Sequence, residues 1–134
     1  MARVPEPTVE SVVAEVSEKM SDPSYAQLAI GSFAQAHPDV GRFITAHLEE
    51  LGGGEGVMHA VFHAEVVHEC FRRHLGRHLT PIGFRALDAV SFGDPEKRFT
   101  QLQPAIASYL VSNIDQPAMR RLLSLVGLAM DEAS

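Results

Sequence analysis

Apolar residues recur at the three- and four-residue spacing of a helix along almost the whole chain. From about Thr8 to Met20, Val9, Val12, Val13, Val16 and Met20 form one stripe, with Glu10, Glu15, Glu18 and Lys19 off it. Valine by itself favours strands, so here the period decides for a helix. A second run, about Pro23 to Ala36, turns Leu28, Ala29 and Phe33 inward. A third, about Pro38 to Leu51, does the same with Val40, Phe43, Ile44, Leu48 and Leu51, and the glycines from Gly52 to Gly56 end it. A long fourth helix is predicted from about Val57 to Leu75. Shorter ones follow over about Pro81–Ser91, Pro95–Gln103, Pro104–Ile114 and Pro117–Met130. No stretch alternates apolar and polar residues as a half-buried strand does.

Prolines punctuate this pattern. Pro23, Pro38, Pro81, Pro95, Pro104 and Pro117 each precede an apolar-periodic run. Proline suits the first turn of a helix because its missing N–H would be unpaired there and its φ is already helical. Asp22, Thr80 and Asp94 stand just before three of them as candidate caps, and Asp115 stands two before a fourth. The expectation is a compact all-α single domain over residues 1–134, a bundle of six to eight helices. The long His-rich helix is expected at its centre, and residues 1–7 as an extended lead.

Aligning Phe33–Leu48 on Phe99–Ile114 matches Phe33 with Phe99, Gln35 with Gln101 and Pro38 with Pro104. Val40/Ile106, Phe43/Tyr109, Ile44/Leu110 and Leu48/Ile114 agree in character. One explanation is a duplicated helix-Pro-helix unit. The other is that two proline-started amphipathic helices converge on one pattern through the same physics.

Composition adds exclusions. At 46% apolar and 21% charged, the chain is neither disordered nor fibrous. The single Cys70 rules out an internal disulfide framework and points to a reducing, cytoplasmic setting. The start shows no signal-peptide pattern, and the longest apolar run, Leu125 to Met130, is too short for a bilayer, so no membrane association is expected. Charge is uneven: residues 1–67 hold three Lys/Arg against ten Asp/Glu, and residues 68–134 hold eight against seven. An acidic chain is a poor partner for nucleic acid.

Five of the seven histidines lie between His59 and His78. On a helix, His59, His63, Cys70 and His74 share one stripe about 60° wide. Imidazoles at i, i+4 with a thiolate nearby are a donor set for a transition metal or for haem. Val66 on the same stripe, flanked by Ala60, Ala64, Val67 and Phe71, supports the alternative that these histidines border the core. Glu65 and His68 form one E-x-x-H, the spacing of di-iron carboxylate bundles, which need two such motifs.

Arg72, Arg73 and Arg77 make a basic end to the same helix, which the helix dipole favours. That end is also a candidate surface for an acidic partner, such as the Glu-rich first helix of a second subunit, or for nucleic acid. The glycines before the fourth helix match no phosphate-loop motif, and Glu55 there would repel an anion. No catalytic triad or acid pair is legible. The reading that follows is a non-catalytic interaction or adaptor module without a cofactor, self-associating as a homodimer, using Val9, Val13, Val16, Arg72, Arg73 and Arg77 as contact residues. The competing reading is a metal- or haem-binding helical protein, and the third is weak nucleic-acid binding.

Overall fold

In the computed structural model, which describes residues 3–134, the chain is all-helical. The elements are α1 (Glu6–Lys19), α2 (Tyr25–Ala36), α3 (Pro38–Thr45), α4 (Gly54–Leu75), α5 (Phe84–Ala89), α6 (Pro95–Leu102), α7 (Pro104–Asn113) and α8 (Pro117–Ala133). Among the described residues no helix is long and apolar enough to cross a membrane.

Pro38, Pro95, Pro104 and Pro117 are the first residues of their helices, and Asp94 accepts from the Lys97 N–H as the cap of α6. Two of the six expected starts differ. Pro23 lies in the turn before α2, where Asp22 Oδ1 accepts from the Ser24 N–H and hydroxyl and so closes a turn rather than capping the helix. Pro81 lies in the extended stretch from His78 to Gly83, so Thr80 caps nothing, and α5 begins only at Phe84. At the N-terminus α1 already starts at Glu6 with Pro7 in its first turn, shortening the extended lead to Arg3–Pro5 among the described residues. Gly76 closes α4 in the left-handed conformation at φ 73°, which costs glycine little.

Three residues expected inside are outside, the first being Met20, 49% exposed because α1 ends at Lys19 and the stripe ends with it. Leu28 is 68% exposed because it sits about 140° around α2 from buried Phe33, the residue that faces the bundle. Leu48 is 41% exposed because α3 stops at Thr45 and the following turns no longer hold the helical stripe.

The aligned segments adopt the same conformation. His37 and Gln103, each before a proline, have φ, ψ of −132°, 68° and −135°, 70°. Proline excludes the α region for its predecessor, so each helix must break there. Both N–H groups still bond back, His37 to Phe33 O at 2.8 Å and Gln103 to Phe99 O at 2.7 Å. The packing recurs as well. α2 packs on α3 and α4 as α6 packs on α7 and α8, and α3 packs on α4 as α7 does on α8. α1 touches α4 and α7, while α5 touches α8 and α3. The packing thus divides into two like four-helix units, α1–α4 and α5–α8, in which each first helix packs on its own unit's fourth helix and reaches across to the other unit's third. Buried pairs extend the correspondence into the leading segments: Val4 with Ile82, Val9 with Leu87, Val12 with Val90. The two fourth helices, α4 and α8, pack on each other, so the centre belongs to both, and every residue from Leu122 to Asp131 is buried.

Candidate functional site

The two proline-break residues hold the units together. Ile82, two residues ahead of α5, donates its N–H to His37 Nδ1 at 3.0 Å. Val4, two residues ahead of α1, donates its N–H to Gln103 Oε1 at 2.9 Å. Behind each stands a polar residue of the long helix. Gln103 Nε2 donates to buried Asp131 Oδ1 at 2.8 Å, and the His37 ring meets the buried His68 ring edge-on at 4.9 Å.

Because Nδ1 of His37 accepts, its proton sits on Nε2, and a second proton would set N–H against N–H. Burial, reinforced by His68 and His78, accordingly holds His37 down at about 4. His68 is 4% exposed and neither ring nitrogen has a hydrogen-bond partner. Glu65 Oε1 lies 3.7 Å from its Nδ1, and His78 stacks on it at 5.8 Å. Unpaired buried nitrogens cost stability. His68→Leu, which keeps volume and removes both, should therefore raise the urea-unfolding free energy by about 1 kcal/mol. A loss would show that the ring is satisfied in solution.

His37 escaped the sequence analysis although the alignment places it opposite Gln103. The signal available was a polar residue before proline at both positions, one turn after an apolar Phe.

The histidine stripe of α4 does not gather. One helix separates His59 from His74 by about 22 Å, so convergence requires donors from another helix. His59 is exposed and His74 half-buried. His63 Nδ1 is hydrogen-bonded to the Tyr109 hydroxyl of α7 at 2.8 Å, and burial, with His59, pushes the imidazole down to about 4. Cys70 is buried, and burial with Glu69 pushes its thiol up to about 12. Among the described residues no three His, Cys, Asp or Glu side chains are arranged to hold a metal ion.

The basic end of α4 is engaged within the chain. Arg72 pairs with Glu69, and Arg73 pairs with Glu69 and with Glu15 of α1. The attraction between the Glu-rich first helix and this basic end, expected between subunits, acts inside one molecule and clamps α1 to α4. Exposed Arg77 reaches the carbonyl of His78 at 3.5 Å and, among the described residues, no carboxylate. The valine stripe is likewise occupied: Val9 is buried, and Val13 and Val16 pack half-buried against the core.

Beside these contacts a groove of about 730 Å³ stays open between α1 and α7. Val9 and Val13 form one wall and Ala105 and Tyr109 the other. The groove exists because α7 presents small side chains, Ala105, Ser108 and Ser112, across from α1. Glu6 and Glu10, one turn apart and exposed, stand on its rim, and Arg3 and Val4 close one end. The counterpart between α3 and α5 is about 210 Å³, with Phe43 and Leu87 in the places of Tyr109 and Val9. Phe84, standing where α1 has Glu6, narrows it.

The described residues thus form an all-helical bundle of two like units, with an interhelical groove of about 730 Å³ between α1 and α7 and a shallower one of about 550 Å³ that Ile30, Ala34, Gly41 and Val61 line among α2, α3 and α4. No protein-family model matches the chain, and no curated protein and no solved structure matches it either.

Proposed function

We propose that this chain is a non-catalytic interaction module that seats a segment of a protein partner in the α1/α7 groove. The observation that carries the reading is the groove itself, an open apolar channel between two rigid helices with carboxylates on its rim. The buried polar groups His37, Gln103 and Asp131 are already spent on joining the two units. Apolar walls supply affinity by removing an anchor side chain from water, and charge at the edge selects the partner. Glu6 and Glu10 select a segment that carries Lys or Arg beside a large apolar residue.

A peptide-library selection on the wild-type protein, counter-selected on Ser108→Trp, tests this. Ser108 is exposed on α7, so the indole fills the groove without entering the core. Enriched peptides should combine a basic residue with an aromatic or long aliphatic one and bind Ser108→Trp at least tenfold more weakly. The double change Glu6→Lys, Glu10→Lys should weaken them in a salt-dependent way. Selection of peptides indifferent to Ser108→Trp, or of none, overturns the reading.

A further inference from the structure

The largest unexplained apolar group on the surface is Phe92, 62% exposed in the short loop between α5 and α6. An exposed ring alone is ordinary. This one is braced. Arg98 of α6 lays its guanidinium over the ring at 3.6 Å from the centroid. Its Nη1 donates to Val90 O at 2.6 Å and to Phe92 O at 2.7 Å. Gly93 turns the chain at φ 65°, and the Asp94 carboxylate is directed to the Lys97 N–H of its own helix. The result is a rigid aromatic knob with a cation attached, which loses little conformational freedom on docking.

The α1/α7 groove is the complement of that knob. Val9, Val13, Ala105 and Tyr109 give it apolar walls, and its rim carries the two carboxylates of Glu6 and Glu10 beside a single cation, Arg3, which is already bonded to the Gln101 carbonyl. Among the described residues neither carboxylate is ion-paired, and Arg98 is not ion-paired either. The same polarity runs through the whole chain, whose acidic half contains α1 and whose other half contains the knob.

We infer that the groove is filled by a second copy of this chain, through its Val90–Gly93 loop with Phe92 as the anchor. The inference rests on the docking reading above and names its occupant. Knob and groove are different patches, so each contact is heterologous. Copies then form a ring, an open chain, or a reciprocal pair in which each knob enters the other's groove.

Sedimentation equilibrium of the full chain across protein concentration and salt reads this out. The wild type should self-associate, more weakly at high salt. Phe92→Asp and Ser108→Trp should each weaken association at least tenfold. Neither change touches the core, and Arg98 keeps its bonds to both backbone carbonyls in the first; Phe92→Ala serves as a milder second variant. The decisive sample is the mixture. Phe92→Asp retains an intact groove and Ser108→Trp an intact knob, so together they should form a 1:1 heterodimer that neither forms alone. A wild type that stays monomeric at millimolar concentration, or a mixture that stays monomeric, overturns self-docking. Library peptides that still need an open groove would then leave the docking reading standing, whereas their indifference to Ser108→Trp removes both.

Discussion

Between pH 6.5 and pH 4 the fold should lose several kcal/mol of stability. His37 and His63 each sit at about 4 in the folded chain against an ordinary 6.5. In that interval the unfolded chain binds protons that the folded chain refuses, so stability rises with pH. The contribution is fully present above 6.5 and is shed as the pH falls to 4, up to about 3 kcal/mol for each imidazole. Urea unfolding at pH 7, 5.5 and 4.5 measures the slope. His37→Gln should remove about half of it while keeping the fold, because glutamine already accepts the equivalent backbone N–H at position 103, from Val4 at 2.9 Å. An unchanged slope in that variant would mean that His37 is protonated without penalty and that its bond to Ile82 is not what fixes its charge.

Gly127→Val should cost about 2–3 kcal/mol, the range of overpacking a closed core. A Cβ at Gly127 would meet three atoms of the Phe99 ring at 2.5, 2.6 and 3.0 Å. Phe99 is fully buried and has no room to retreat, so α6 would have to lift off α8. Gly31 is the control. It lies in the middle of α2, and a methyl group added there would have no atom within 4 Å. Gly31→Ala should therefore stabilise by about 0.5–1 kcal/mol through the unfolded chain's lost freedom. Thermal or chemical unfolding of both variants separates contact from propensity. Equal effects would show that the close approach of α6 to α8 is absent in solution.

These outcomes concern contacts between residues far apart in sequence, and that is where sequence reading runs out. The groove depends on small residues of α7 lying opposite α1, which no pattern within either helix specifies. The fate of α4's histidines depended on neighbours supplied by other helices: Tyr109 for His63, and the His37 ring for His68. The clamp from Arg73 to Glu15 became visible only once α1 was known to lie along α4.

The chain by itself determined its helices and several of their boundaries, because these follow from neighbours in sequence. Proline fixes its own φ and forbids an α conformation to the residue before it, which set the breaks at His37 and Gln103 and the starts at Pro38, Pro95, Pro104 and Pro117. The spacing of Val9 and Val12, and of Val40 and Ile44, determined which faces of α1 and α3 turn inward. Only the tertiary structure decided that Leu28 stays outside, that α1 and α5 each reach across to the third helix of the other unit, and that Phe92 is left uncovered. Those outcomes depend on how each helix rotates and which helix it meets, and that is settled by contacts summed over the whole bundle rather than by any local rule.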